Sequence, residues 1–153
     1  MNTEYTREEA ILKLNHFIEN KLISYSKLRN FNYDNQNQLT TSFLSPYISH
    51  GILNEIEIVI KSLKKHSFLK CQKFIDEIFW RIYWRGWLEL RPELWSDYMF
   101  TLNKIHNEYK DNEKYIKAIQ GKTNIDCFND WVNELKEKNY LHNHVRMWFA
   151  SIW

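Results

Sequence analysis

The chain has 153 residues, of which 44% are hydrophobic and 26% are charged, a composition that suits one soluble globular domain over residues 1–153. Its net charge of +2 is too small to indicate a nucleic-acid-binding protein by itself. No apolar run reaches about 18 residues, which argues against membrane insertion and predicts a cytoplasmic protein. Cys71 and Cys127 lack metal-ligand spacing, so we expect free thiols and no metal site.

Aromatic residues make up 16% of the chain, against only three glycines and two prolines. Such a composition favours long, well-packed helices and few tight turns. No segment alternates apolar and polar residues as a strand does, and no internal repeat occurs. The sequence therefore predicts an all-α fold.

Capping residues mark two helix starts in the first half of the chain. Thr6 opens a capping box ahead of a first helix. The apolar residues of that helix are Ala10, Leu12, Leu14, Phe17 and Ile18. Asn54 caps a helix over Glu55–Lys65, with Glu57 completing its box. Residues 20–40 show no helical periodicity and are predicted to be irregular.

Three hydroxyl side chains, on Thr41, Ser42 and Ser45, precede Pro46. Ser45 is predicted to cap a helix whose first residue is the proline. Hydroxyls and free backbone N–H groups at such a junction can hold phosphate oxygens. The alternative is an ordinary Ser-Pro helix start with no ligand.

The longest predicted helix runs from Ser67 or Phe68 to Leu90 and ends at Arg91-Pro92. Its packing stripe is predicted to consist of Ile75, Phe79, Ile82 and Gly86. Such a stripe would turn one side of the helix toward the core.

Three charged residues of this helix, Glu77, Arg81 and Arg85, recur every four residues and permit a row of ion pairs along one face. A solvated row is the simplest interpretation. Four aromatic residues, which we expect to leave little of the helix exposed to water, occupy the remaining faces: Trp80, Tyr83, Trp84 and Trp87. A partly buried row beside tryptophans would instead suit a helix that lines a ligand site.

The last third of the chain is predicted to be helical in part. Residues 95–112 have a weak pattern, which predicts short helices and loop. A helix over residues 112–120 is predicted to end at Gly121, and another over residues 124–138 to be followed by a tight break. Residues 139–153 are predicted to form the final helix.

The final helix has two distinct faces. One carries an amide, a guanidinium, a thioether and a small side chain: Asn143, Arg146, Met147 and Ala150. The adjacent face carries His142, Val145, Phe149 and Trp153. The first face fits the wall of a cavity. The alternative is a buried helix whose two polar groups find local partners.

Three stretches resemble motifs of the DNA photolyase and cryptochrome family. Residues 141–147, Leu-His-Asn-His-Val-Arg-Met, are similar to its His-Asn-Arg-x-Arg-Met signature. Residues 41–47, Thr-Ser-Phe-Leu-Ser-Pro-Tyr, are similar to its Thr-Ser-Arg-Leu-Ser-Pro-Tyr flavin-phosphate loop. Residues 77–85 are similar to its Glu-Leu-x-Trp-Arg-Glu-Phe-Tyr helix. The order of the three also matches, so the chain resembles part of that family's FAD-binding domain, a multi-helix orthogonal bundle, truncated at both ends.

The resemblance implies a FAD cofactor and light-driven electron transfer that repairs pyrimidine dimers in damaged DNA. The residues that it assigns to FAD are Tyr25, Thr41, Ser42, Leu44, Ser45, Arg81 and Arg146. In the lesion pocket, Glu77 would hydrogen-bond the lesion and Trp80 would stack on it. Asn143 and Met147 would complete the wall of that pocket.

Several positions depart from the family's pattern. Phe43 and His144 replace arginines, which weakens the expectation of tight DNA-backbone binding. Residues 123–126 replace Thr-Gly-Tyr-Pro, and Asn129 stands where an aspartate is usual. The family also has an antenna domain and further C-terminal helices. We therefore expect a fragment, a pseudogene-like product or half of a split protein, inactive alone, with a second chain as a candidate source of the missing helices.

Three functions are open from the sequence. A photolyase-type lyase is favoured because the four residues assigned to the lesion pocket occur together. A cryptochrome-like photosensor with the same cofactor is the second. The third is a helical remnant that serves as an interaction module and binds no flavin. We expect no membrane and no metal among the partners.

Overall fold

The computed structural model of the protein describes residues 5–32 and 40–153. Regular structure in these residues consists of nine α-helices, which confirms the predicted all-α class. They form two compact units, Met1–Trp87 and Leu88–Trp153. That the two units together make a single domain stays a prediction. No helix in the described part of the chain is both long enough and apolar enough to cross a membrane.

The first unit is built from the helices α1 Arg7–Asn20, α2 Leu22–Leu28, α3 Ser45–Ser49, α4 Glu55–Lys65 and α5 Phe68–Glu89, of which the last extends two residues past the unit's end. Helix α1 packs against α2 and α4. Every one of these helices contributes to a single apolar core. Its members include Leu14, Leu22, Tyr47, Ile58 and Phe74. Burial of these side chains, more than helix propensity, stabilises such short helices.

Local side chains explain where α1 and α4 begin. The Thr6 hydroxyl accepts a hydrogen bond from the Glu9 backbone N–H at 3.2 Å, and Asn54 caps α4 in the same way. Each cap satisfies a donor that the first turn of a helix leaves unpaired. The second predicted capping box does not close, because the Glu57 carboxylate accepts hydrogen bonds from the Arg7 guanidinium at 2.9 and 3.0 Å.

Two predictions for the first unit are wrong, and one apolar residue of α1 lies outside the core. Residues 20–40 are not irregular throughout, because Leu22 is buried in the core and begins α2. In α1, Leu12 is 69% exposed and belongs to the solvent side. Phe79 is 49% exposed, so it does not lie in the packing stripe of α5. The buried residues of that helix are Cys71, Phe74, Ile75 and Ile78.

The second unit consists, within the described residues, of α6 Glu93–Tyr109, α7 Glu113–Gln120, α8 Asp126–Lys138 and α9 Asn143–Ile152. Helix α8 packs against both α7 and α9, and Phe128, Val132 and Val145 are buried there. The short helices and loop predicted for residues 95–112 are wrong, because α6 is one continuous helix. It has no buried residue, although Leu94, Tyr98, Leu102 and Ile105 recur along it at helical spacing.

The turn between α7 and α8 depends on two special positions. Gly121 ends α7 as predicted, with φ of 70°, and a Cβ there would lie 3.2 Å from the Asn129 carbonyl oxygen. Asn129 Oδ1 accepts from both the backbone N–H and the hydroxyl of Thr123 at 2.8 Å, and its Nδ2 donates to the Thr123 carbonyl at 2.8 Å. Because α8 begins only after this loop, its first residue is Asp126, two residues later than predicted.

The final helix is shorter than predicted. Asn139 has φ of 50°, in the left-handed region, and makes the tight break after α8. Helix α9 then begins at Asn143, with His142 as its N-terminal cap, so residues 139–142 are not helical. The two predicted faces of the helix differ in burial at their central residues, since Val145 is buried and Met147 is exposed.

Two leucines of α1 test this core by the same substitution. We expect Leu14→Ala to lower the free energy of unfolding by about 2–5 kcal/mol, because it opens a cavity at a fully buried position. Leu12→Ala, two residues earlier on the exposed side, should change it by about 0.5 kcal/mol or less. Urea unfolding followed by circular dichroism measures both. Equal losses in the two variants would contradict the orientation of α1.

Candidate functional site

The hydroxyl loop, which we define as residues 41–45, contains a buried polar atom without a partner. Thr41 Oγ1 has no hydrogen bond to any of the described residues. A buried hydroxyl in that state costs roughly 1–3 kcal/mol, so a ligand atom that bonds to it would be stabilised. In the same loop, Phe43 has φ of 54°, a left-handed conformation that is strained for a bulky side chain. Strain of this kind is concentrated at ligand sites.

The hydroxyl loop is fixed to the core at its end. The Leu44 side chain is fully buried, and the Leu44 backbone N–H donates to Ser42 Oγ at 3.4 Å. Leu44, and not Ser45, is the N-terminal cap of α3, so the predicted cap is wrong by one residue. Pro46 is accordingly the second helical residue. The Ser45 hydroxyl is therefore not used as a helix cap.

Tyr25, which the resemblance also assigns to FAD, lies in α2 with its ring at the edge of the core. The ring makes edge-on contacts with Phe17, at 5.8 Å between centroids, and with Phe74, at 5.3 Å. This packing fixes α2 against α1 and α5. The role of Tyr25 toward a flavin stays a prediction.

The polar row, which we define as Glu77, Arg81 and Arg85, connects α5 to other helices. In that order, the partners are Arg29 after α2, Ser49 in α3 and Glu55 in α4. Glu77 Oε1 accepts from Arg29 Nη1 at 2.7 Å, and Arg85 Nη1 donates to Glu55 at 3.0 Å. The ladder expected along a single helix is therefore wrong, because each member reaches a different neighbour. The polar row sets the rotation of α5 about its axis.

The aromatic face, which we define as Trp80, Tyr83, Trp84 and Trp87, lies on the outer side of α5. Trp80, Tyr83 and Trp84 are each about half exposed, so the expectation that these rings exclude water from the helix is wrong. The rings contact one another in sequence, with centroids 5.3 to 6.4 Å apart. An open pocket of about 430 Å³ lies at one end of this face. It is lined by Asp76, Phe79, Trp80 and Tyr83.

Three predicted site residues lie in the second unit, on the exposed face of α9. The side chains of Asn143 and Met147 are exposed to solvent. Arg146 Nε donates to the Leu141 carbonyl at 3.0 Å, and its guanidinium lies 5.4 Å from the centroid of the Tyr140 ring. The Arg146 guanidinium is therefore partly occupied by contacts with the residues just before α9.

The structure brings two groups of predicted residues together within the first unit. Glu77, Trp80 and Arg81 all lie on α5. The hydroxyl loop leads into α3, a helix of five residues that spans about 7 Å, and the last residue of α3, Ser49, bonds to Arg81 of α5. Asn143, Arg146 and Met147 belong to the second unit. That the surfaces of the two units meet in one cavity stays a prediction.

Three partners in the polar row were missed by the sequence analysis: Arg29, Ser49 and Glu55. Arg29 had a usable signal, because it follows Tyr25, a residue already assigned to FAD, by four residues. Ser49 and Glu55 had none, because contacts 30 or more residues apart depend on how the helices pack.

His142 is a buried titratable group in the second unit. It is 7% exposed, and its Nδ1 accepts from the His144 backbone N–H at 3.2 Å, which caps α9. Burial lowers the pKa of His142, and the positive charges of His144 and Arg146 lower it further, against a raising effect of Glu134. The neutral imidazole is therefore the form that fits this helix start, because protonation would remove the accepting nitrogen.

Comparisons with known proteins agree with the motifs. Deoxyribodipyrimidine photo-lyase of Vibrio cholerae is 26% identical over 149 residues, which cover 94% of this chain and 31% of that protein. The enzymes of the same name from Agrobacterium fabrum and Buchnera aphidicola are each 29% identical, over 93% and 94% of this chain. No protein-family profile matches the chain, and no solved structure gives a significant match.

The chain is a divergent and partial relative of the deoxyribodipyrimidine photo-lyases. It spans about three tenths of the length of these curated relatives. The alignment with the photolyases covers both units, so the hydroxyl loop, α5 and α9 all lie in the aligned region or within a few residues of it. Among the residues that the structure describes, no group of three or more metal-binding side chains occurs.

The histidine cap of this photolyase relative predicts a pH-dependent stability. Because the folded-state pKa of His142 lies below the usual value of about 6.5, the unfolded chain binds the proton more readily. Neutral His142 makes its full contribution to the free energy of unfolding above about pH 6.5. This contribution is lost as the pH falls through the lowered pKa of the folded state. We expect His142→Asn, which keeps a capping acceptor that does not titrate, to flatten this decrease.

Urea unfolding between pH 5.5 and 7.5 measures this effect. The substitution His106→Asn, on the exposed surface of α6, should leave the wild-type profile unchanged. The same pH dependence of the free energy of unfolding in wild type and His142→Asn would contradict the role of neutral His142 as the cap of α9.

Proposed function

We propose that this chain forms part of a FAD-binding domain of a photolyase-type protein that repairs pyrimidine dimers in DNA by light-driven electron transfer. The observation that supports the proposal is the buried Thr41 hydroxyl, which has no hydrogen-bond partner among the described residues. It lies in a strained loop, one short helix away from an open aromatic face. These two features coincide with two of the three motifs that the chain shares with photolyases. Activity of the whole protein is part of the proposal, since the chain spans about three tenths of its relatives.

The hydroxyl loop fits the phosphate groups of FAD. Thr41 Oγ1 has an unused donor, and the Ser42 and Ser45 hydroxyls lie within four residues of it. Phosphate oxygens accept such donors, and a charged acceptor strengthens each bond. Leu44 would support the loop through its buried side chain, and Tyr25 would support it from α2. Arg81 would lie near the flavin, and Arg146 would do so from the second unit.

The outer side of α5 fits a pyrimidine dimer, in which two neighbouring bases of one strand are linked. Trp80 offers a half-exposed ring for stacking, and Glu77 offers a carboxylate one turn away. A lesion that is already poorly stacked leaves the duplex at reduced cost. Bound FAD would supply the electron, while these residues bind and orient the dimer. The motif resemblance also assigns Asn143 and Met147 to binding of the dimer.

A second candidate function is supported by α6. Seventeen residues long, this helix has no buried residue, and Trp95 and Phe100 are among its most exposed side chains. Contiguous exposed apolar surface of this kind is typical of interaction sites. A helical interaction module without flavin is therefore the alternative. A cryptochrome-like photosensor would use the same FAD site and differ in having no repair activity.

Removal of single hydroxyls tests the flavin site. We expect the purified chain, titrated with FAD and followed by flavin fluorescence, to bind the cofactor. Thr41→Val and Ser42→Ala should each raise the dissociation constant about tenfold, because each removes one hydrogen bond to a charged phosphate. Thr101→Val, the same chemical change on the exposed surface of α6, should have no effect. No flavin binding by the wild-type chain would favour the interaction module.

The aromatic face is tested by DNA binding. We expect the protein to prefer an oligonucleotide with one thymine dimer over the undamaged sequence. Trp80→Ala should reduce that preference about tenfold or more, since stacking on a base contributes roughly 1–3 kcal/mol. Trp95→Ala, on α6, should leave it unchanged. Fluorescence anisotropy at a fixed salt concentration measures both, and equal effects of the two substitutions would exclude Trp80 as the stacking residue.

A further inference from the structure

Among the described residues, the partners of the Glu77 carboxylate all contact one of its two oxygens. Oε1 accepts from Arg29 Nη1 at 2.7 Å, and the Lys73 ammonium lies 3.6 Å from the same oxygen. Oε2 has no partner among the described residues. An ionised carboxylate accepts hydrogen bonds and donates none, so Oε2 is an unused acceptor on α5, about one helical turn before Trp80.

The position of Arg29 is fixed by the packing of α2 on α5. Tyr25, one turn earlier, packs its ring against Phe74 with centroids 5.3 Å apart. Arg29 follows Tyr25 by four residues and Glu77 follows Phe74 by three, so the ring contact and the ion pair lie side by side between the same two helices. Both charged side chains are partly buried, at 21% and 34% exposure. Water therefore screens this ion pair less than one on the open surface.

We propose that Arg29 is a positioning residue for Glu77. By holding Oε1, Arg29 fixes the carboxylate so that Oε2 is the oxygen left for a ligand that stacks on Trp80. This inference rests on the proposed lesion site and deepens it. A ring that stacks on Trp80 and donates a hydrogen bond to Oε2 must carry an N–H group at its edge, as the imide of thymine does.

Geometry, more than charge, makes arginine suitable for this role. A guanidinium is planar and presents its donors in a fixed direction, whereas an ammonium is a flexible point charge. Lys73 already supplies such a point charge to Glu77 from one turn earlier on α5. A lysine at position 29 would therefore add charge without fixing the carboxylate. Without Arg29, Lys73 is free to pair with either oxygen.

The test compares the affinity for a thymine-dimer oligonucleotide with that for the undamaged sequence. We expect Arg29→Met to lower the ratio of the two affinities about tenfold, because an unfixed carboxylate loses most of one hydrogen bond. Arg29→Lys should lower it nearly as much. Arg7→Met also removes a positive charge from an ion pair of the first unit, with Glu57, and should leave the ratio unchanged.

A double substitution separates positioning from direct contact. If Arg29 acts through Glu77, then Arg29→Met should have no further effect on the ratio in a Glu77→Gln background. Additive effects would show that Arg29 contacts the DNA itself and would overturn the proposal. An unchanged ratio of affinities in Arg29→Met would also overturn the proposal. The charge-swapped pair, Arg29→Glu with Glu77→Arg, should restore the melting temperature but not the ratio, which a merely structural role would not predict.

Failure of the proposed function has a different signature. If the wild-type protein binds damaged and undamaged DNA equally, the lesion site and the positioning role fall together. If the wild-type protein discriminates but the Arg29 variants discriminate equally well, only the positioning role is overturned.

Discussion

The rotation of α5 about its own axis is the constraint on which the candidate site depends. Phe74 and Ile78 turn one side of this helix into the core, and the polar row bonds a second side to three other helices. Those contacts leave the remaining side, with Trp80 and Tyr83, open beside the pocket. A helix turned by one residue, about 100°, would bury the carboxylate of Glu77 or hide the stacking ring. The site is therefore a consequence of core packing.

The hydroxyl loop depends on the same unit in another way. Its anchor, Leu44, is fully buried, while Thr41 keeps a hydroxyl that nothing in the described protein bonds. A loop that is anchored at one end and has an unpaired hydroxyl at the other is suited to hold a ligand without rearranging. The proposed phosphate site and the proposed lesion site thus both arise in the first unit. The contribution of α9, from the second unit, stays a prediction.

Much of the fold could be predicted because local signals mark it. Thr6 and Asn54 cap their helices, Gly121 ends one, and the all-α class follows from periodicity. Two errors have different causes. The seven residues of α2 are too few to show a complete apolar stripe, whereas the apolar residues of α6 recur at helical spacing but are not buried by a neighbouring helix.

The candidate site was predictable in its residue types but not in its contacts. The spacing of Glu77, Arg81 and Arg85 correctly placed them on one side of α5. It could not show that Arg29 is the partner of Glu77, because that pair is 48 residues apart in sequence. Ser45 was placed one position wrong because a serine before proline resembles a cap whether or not the helix begins there. Contacts between helices are decided by tertiary packing.

The rotation of α5 can be measured directly with 4-fluorophenylalanine. The fluorine signals of Phe74 and Phe79, assigned by replacing each residue with leucine, report on two sides of the same helix. In the presence of a soluble gadolinium chelate, Phe79 should broaden strongly, because it is half exposed, and Phe74 should not, because it is buried. Equal broadening of the two signals, or broadening of Phe74 alone, would contradict the orientation from which the site is derived.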